Sequence, residues 1–400
     1  MYKRWCWTVA LLAIGPVQAQ SPDLLSFAHG AVPLRVEGDA AARVTTEQAI
    51  RAIDGSNAGF ALTRPVPAST RIALVYALPA ATVFEQFAVP DVLETPSPQQ
   101  TFVREVSVWG SARSSHDGFV QLATATLAAH AKAGQQTLLT VLNRDPVRWV
   151  RLELTGGLDV PQPPVPVTLS FSEIVGTGRQ DATPLDTGFG GAWKGRGVAL
   201  QLQQQGPVVS GCYDNGEGRL QGTVEGRLLH ATGKAVRTGV PSAFVASLDD
   251  DGRLQLMRST NGAPFYLFDA GSVATVGKAC NAPEGATLGC GSVIHGIRFD
   301  FDSATIRADS EPVLAALFDG LRDRRMDIDI EGHTSSEGEA SYNQQLSQRR
   351  AQAVVDALVL RGLPAARLRA TGAGESRPAA PNDDEIGRSL NRRVEVRCAG

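Results

Sequence analysis

The hydrophobic pattern of this chain changes period once, and that change limits what it can fold into. Up to about residue 280, short alternating apolar runs are broken by turn residues. From Ser292 onward, alternating runs are separated by stretches of helical period. In the first part, Arg71–Leu78, Phe102–Trp109, Gly118–Ala123, Thr137–Leu142, Val147–Leu154 and Thr168–Ser172 read as strands of an antiparallel sandwich. A boundary is expected in the Asp-, Thr- and Gly-rich stretch from Gly178 to Gly190. Hairpin signals follow: Val198–Leu202 alternates, and Asp214–Gly218, Glu225–Gly226 and Asp249–Gly252 mark turns. They predict a small antiparallel meander or barrel of six to eight strands. The run Asp249–Asp251 reads as a solvated turn, because the rest of a calcium loop is missing.

After Ser292 the elements alternate. Ile297–Phe301, Ile328–Glu331, Arg367–Ala370 and Arg393–Arg397 read as strands. Leu314, Leu317, Phe318 and Leu321 form one helical stripe, with Ser310 as the expected N-cap and Pro312 in the first turn. A longer helix is expected from Tyr342 to Leu360, with Ala351, Val354, Val355 and Leu358 on its core side and Gly362 and Pro364 ending it. Strands alternating with helices argue for helices packed on a sheet.

Composition narrows the class. In 400 residues, 43% hydrophobic and 20% charged, wholesale disorder is excluded. Gly 41 and Pro 23 favour turns and β structure. The net charge of −3, without basic runs, does not suit a nucleic-acid partner. Met1–Arg4 is positive, Trp5–Ile14 is apolar, and Val17-Gln18-Ala19 offers a cleavage site, so residues 1–19 are expected to be a signal peptide for export. Cys6 is not at that cleavage site, which argues against a lipid anchor. No later stretch approaches ~18 consecutive apolar residues.

Removing that segment leaves Cys212, Cys280, Cys290 and Cys398, an even number suited to two disulfides in an exported chain. Metal ligation is the rival, but no CxxC pair or suitably spaced His supports it. Cys290 lies before the first expected strand of the last unit and Cys398 after its last, Arg393–Arg397. If those strands are antiparallel neighbours, Cys290–Cys398 and Cys212–Cys280 are the expected pairs, with Cys280–Cys290 the main alternative. No HExxH, GxSxG, Walker A or dinucleotide motif occurs. Ser114-Ser115-His116-Asp117 reads as an exposed loop rather than a triad. No enzyme and no cofactor is expected.

Two family resemblances follow from ordered fragments. Leu24-Leu25-Ser26, Ala52–Gly55, Val106–Ser111, Val147–Leu152 and Ser172–Gly176 together resemble discoidin-type, galactose-binding-like jelly rolls. That resemblance implies a ligand, such as a glycan or an envelope protein, for residues 20–177. Phe299–Ile306, Ile330–Thr334, Tyr342-Asn343, Leu346-Ser347, Arg350-Ala351, Gly372–Ser376 and Asn391–Glu395 resemble the OmpA-like C-terminal domain. It implies a non-catalytic βαβαβ domain at 290–400 that binds the diaminopimelate of the peptidoglycan stem peptide. The fold class expected is therefore multidomain, β-rich plus α/β: a jelly-roll-like β-sandwich, a small antiparallel β domain at 188–281, and an OmpA-like domain. The implied location is the periplasm, associated with the outer membrane and cell wall.

The ligand chemistry fits the motif residues. The free end of diaminopimelate carries an ammonium and a carboxylate, and a guanidinium can pair with the carboxylate bidentately. By resemblance Arg350 takes the carboxylate, with Asn343 two turns earlier on the same helix face. Asp302, Thr334, Ser335, Arg388 and Arg393 are the other implied contacts, and Arg392 is expected to face away. His333 is expected to be structural. One departure stands out: the family reads Gly-His-Thr-Asp, and the Asp receives the ammonium, whereas here Ser335 follows Gly332-His333-Thr334. Losing a charge-assisted bond costs about 1.5–3 kcal/mol. Either Glu337 or Asp302 compensates, or the ligand differs, or binding is weak.

Overall fold

In the computed structural model the described residues are 23–39, 43–55, 58–94, 99–129, 134–156, 166–249, 251–276, 280, 287–299, 303–383 and 385–399. The expected signal segment lies outside them, as does Asp302.

The longest strand organises the first unit. Residues 72–80 form a run buried throughout, so their strand must be covered on both faces. With β1 (Val32–Gly38), β2 (Arg71–Pro90), β3 (Gln100–Ser111), β4 (Val120–Thr126) and β5 (Val147–Gly156), the sheet order is β1-β2-β5-β3-β4. β6 (Thr168–Phe171) pairs parallel with the start of β3, the one departure here from an all-antiparallel reading. β7 (Val175–Gln180) pairs with the second half of β2. The expected strand Thr137–Leu142 divides in two: Gln136–Leu138 pairs with β2, and Thr140–Val141 with β4. A short helix, α1 (Thr46–Arg51), opens with a capping box between Thr45 and Gln48.

The middle unit is a closed antiparallel barrel of eight strands: β8 (Gly191–Gly195), β9 (Val198–Gln205), β10 (Val208–Tyr213), β11 (Gly218–Glu225), β12 (Leu228–Ala235), β13 (Pro241–Leu248), β14 (Leu254–Thr260) and β15 (Tyr266–Val273). Alternation decides its two faces. Leu229, Phe244, Ala246 and Leu256 fill the interior with Trp193 and Tyr213, while Leu228, Ala243, Val245 and Met257 join the core of the first unit. Of the aspartate run, Asp249 Oδ1 accepts from the backbone of Asp251 and Arg253, as in a turn.

The last unit is a four-stranded sheet of order β16-β19-β17-β18, built from β16 (Val293–Ile294), β17 (Asp327–His333), β18 (Leu368–Gly374) and β19 (Val394–Ala399). β17 and β18 run parallel and the other pairs antiparallel. The helices are α2 (Glu311–Leu321), α3 (Ala340–Leu360) and α4 (Glu385–Asn391). Two expectations change. The sheet's first strand is β16; in place of the expected strand Ile297–Phe301, the described residues 297–299 make an isolated antiparallel bridge, Phe299 with Ile306. Beyond Ile294 the barrel takes the chain: His295 N donates to Thr223 Oγ1, and Arg298 pairs with Glu225. Ser310 sits at the N-cap position without capping; its Oγ instead accepts from Arg298 N at 2.8 Å.

Disulfides join Cys212 to Cys280 and Cys290 to Cys398, with Cα–Cα distances of 5.7 and 5.4 Å. The three units also pack on one another. Ala380, Ile386 and Leu390 of the last unit lie in the same core cluster as the first unit, and Val208 of the barrel packs into the core of the last.

Candidate functional site

Two glycines bring the long helix down onto the sheet. A Cβ on Gly332 would lie 2.4 Å from Ser347 O, and one on Gly372 would lie 2.6 Å from Gln348 N. α3 therefore rests directly on the backbones of β17 and β18. Reciprocal bonds lock it there: Gly372 N donates to Gln348 Oε1, Gln344 Nε2 to Gly372 O, and Gly374 N to Ser347 Oγ. This docking places Asn343 and Arg350 beside the strand ends.

Asn343 is buried and works on the loop after β17. Its Nδ2 donates to Ser335 O at 3.3 Å, Glu337 O at 3.0 Å and Glu375 Oε2 at 2.6 Å. Ser335 is buried, and its Oγ donates to Glu337 Oε2 at 3.0 Å. Thr334 is held by its backbone to Gly374 O, and its buried Oγ1 has no hydrogen-bond partner among the described residues. Arg350 is half-buried; its guanidinium lies 4.9 Å over the Phe299 ring, and its Nε donates to Ser303 O at 3.0 Å.

The other arginines divide. Arg388 donates Nε to Glu385 Oε2 at 3.0 Å, lies 3.7 Å from Glu337 Oε1, and reaches Asp54 O of the first unit at 3.1 Å. Arg392 pairs with buried Glu385 and lies 3.5 Å from Glu337 Oε2. Arg393 is buried and donates to Glu395 Oε1 and Arg377 O. The structure thus turns Arg392 toward the Ser335 loop and Arg393 away from it, the reverse of the sequence expectation. Val394 and Val396 face the helices, so Arg393 and Glu395 must face the opposite side of the sheet.

On that opposite side His333 Nε2 lies 2.8 Å from Glu331 Oε1 and 3.5 Å from Glu395 Oε1. Burial, then Arg393, pushes the His333 pKa down to about 3. The ligand atoms of Glu331, His333 and Glu395 lie within 4.8 Å of one another. Arg377 and Arg397 already hold Glu331, and Arg393 and Arg397 hold Glu395. Three guanidiniums on two carboxylates make this an ion-pair network that disfavours a further cation.

Sequence reasoning named Glu337 as a substitute acid but missed Glu375, Glu385 and Arg392. Glu375 stood within the quoted Gly372–Ser376 motif, one residue past the end of β18. Strand ends beside a docked helix are where ligand contacts gather in α/β sheets, and that was the available signal.

A sheet with one parallel pair and a helix resting on its glycines defines an α/β domain whose polar groups gather at the strand ends. A family model described as OmpA family matches residues 298–392. Outer membrane porin F of Pseudomonas fluorescens is 43% identical over 101 residues, covering 25% of this chain and 31% of that protein. The peptidoglycan-associated lipoprotein of Mesorhizobium japonicum is 36% identical over 165 residues, covering 41% of this chain and 94% of that protein. The crystal structure of the peptidoglycan-associated lipoprotein from Burkholderia pseudomallei is 33% identical, covers 26% of this chain and 88% of that one, and superposes with a TM-score of 0.24. The chain belongs to the OmpA family through its C-terminal unit, and spans about a third of the porin F relatives.

Proposed function

We propose that this is an exported cell-envelope protein anchored non-covalently to peptidoglycan through residues 290–400, without catalysis. The observation that carries the reading is the match along 94% of a relative named for peptidoglycan association, joined to an Arg350 already oriented by Phe299 and Ser303. The ligand is the diaminopimelate end of the stem peptide, with Arg350 on its carboxylate and Thr334 Oγ1 able to bond it. Asp302, Ser335, Asn343, Arg388 and Arg393 belong to the proposed set by family position; of these, Asn343 shapes the loop and Arg393 braces the sheet. The location is the periplasm, at the cell wall and outer membrane.

Residues 20–177 form, in this reading, a galactose-binding-like β-sandwich that recognises a glycan or envelope protein, and residues 188–281 a separate barrel domain. A second reading makes recognition by the first unit the main activity, with the last unit a weak tether; the missing acid at Ser335 favours it. Sedimentation of the full mature chain with purified peptidoglycan separates the two. The anchor reading expects most of the protein in the pellet, and a chain left in the supernatant would overturn it.

A further inference from the structure

The acid that the family motif places after Thr334 is a serine here, so the question is which carboxylate near Ser335 is still available. Glu337 is engaged on both oxygens: Oε2 accepts from Ser335 Oγ and faces Arg392, and Oε1 faces Arg388. Glu385 is buried and ion-paired with Arg388 and Arg392. Both acids are neutralised before a ligand arrives. Glu375 differs. Its described partner is a neutral amide, Asn343 Nδ2 at 2.6 Å, and no cation pairs with it among the described residues. The same Nδ2 donates to Ser335 O, so the carboxylate of Glu375 stands beside the position the acid has vacated. Its side chain is half-buried, which leaves access from solvent while raising the value of a charge contact.

We propose that Glu375 takes the place of the absent acid and receives the ammonium of the zwitterionic stem-peptide residue. The inference rests on the wall-binding reading above and assigns the charge reader within it. Asn343 holds Glu375 at one end of the site. Arg350 stands two helical turns on, about 10.5 Å along the axis, and side chains on a helix lean toward its N-terminus, so Arg350 reaches back toward Asn343. The acid is relocated from the end of β17 to the end of β18, across the parallel pair. The site keeps one carboxylate and one guanidinium for one zwitterion.

The test uses the full mature chain and a soluble muropeptide with free diaminopimelate, beside the same muropeptide with that ammonium acetylated. Glu375→Gln keeps an acceptor for Asn343 and is expected to weaken binding about 10- to 100-fold, the worth of a charge-assisted hydrogen bond. Acetylation should weaken the parent by a similar factor and leave Glu375→Gln nearly unaffected. Ser335→Asp in the Glu375→Gln background should recover most of the loss, whereas Glu337→Gln alone should change binding less than threefold. A parent that binds well while Glu375→Gln binds equally well would overturn the assignment and leave the anchor reading standing. A parent that binds neither muropeptide nor peptidoglycan would overturn both.

Discussion

Arg350 is held in place before any ligand arrives. Stacking on Phe299 and the bond to Ser303 O fix the plane of its guanidinium, the fork that suits a carboxylate. Arg350→Ala should weaken peptidoglycan binding by about 10-fold or more. Arg350→Lys, which keeps the charge but loses the planar fork and the stacking, should fall between the two. Equal sedimentation of all three proteins would remove Arg350 from the site. The place of Arg350 on α3 was legible in the sequence because Asn343, Leu346, Ser347 and Arg350 hold fixed places along one helix. The parity of Arg392 and Arg393 was not, because both follow a helix end, and alternation says which neighbours share a face but not which face meets the helices. Glu375 was hidden for another reason: its meaning depends on Asn343, 32 residues away in sequence.

The glycine contacts set the geometry of α3 more than its apolar stripe does. Neither Gly332 nor Gly372 has a left-handed backbone; each is needed because the helix backbone occupies the space a Cβ would fill. Gly372→Ala should lift α3 from β18 and cost about 1–3 kcal/mol, as overpacking does in a close-packed core. A thermal midpoint within a degree of the parent would refute this. The Cys290–Cys398 disulfide closes a span of 108 residues around the same unit. Replacing both cysteines by serine should cost about 2–5 kcal/mol, read as a lower denaturation midpoint. At this scale the sequence showed α2 and α3 well, because their stripes and stop signals are local, but not α1 and α4, which at six and seven residues are too short to show a stripe. It misread the start of Ile297–Phe301 because that segment alternates like a strand while Arg298 within it pairs with Glu225 of the barrel. The division of Thr137–Leu142 between two neighbours was hidden in the same way.

The three units meet over buried titratable groups, and their signs give the whole molecule a stability optimum. His230 of the barrel and His295 of the last unit are buried with ring centroids 5.7 Å apart. Burial, then the Arg392 charge, pushes His230 down to about 4; burial, then His230 and Arg393, holds His295 well below the usual range. His29 of the first unit falls to about 4 through burial and the charges of Arg298, Arg307 and Arg392, and His333 to about 3. These four histidines bind protons more readily when the chain unfolds, so they favour folding fully above about pH 6.5 and progressively less as pH falls toward 4. The acids run the other way. Burial raises Asp23 to about 7, and burial with the nearby Asp23 charge raises Glu173 to about 9. Each holds a proton in the folded state that the unfolded chain releases, so their contribution is full below the ordinary carboxylate pKa and lost as pH rises through the folded value. Between pH 4.5 and 6.5 the four histidines outweigh the two acids and stability climbs. Above pH 7 Glu173 alone dominates, at about 1.4 kcal/mol per pH unit. The thermal midpoint should therefore peak near pH 6.5 and decline toward pH 9. Glu173 Oε1 accepts from Gly55 N at 2.5 Å, and Glu173→Gln keeps an acceptor there while removing the titration. That variant should match the parent near pH 4 and surpass it by a margin that widens up to pH 9, flattening the alkaline limb. A variant that declines as steeply as the parent between pH 7 and 9 would place the alkaline sensitivity elsewhere than at Glu173.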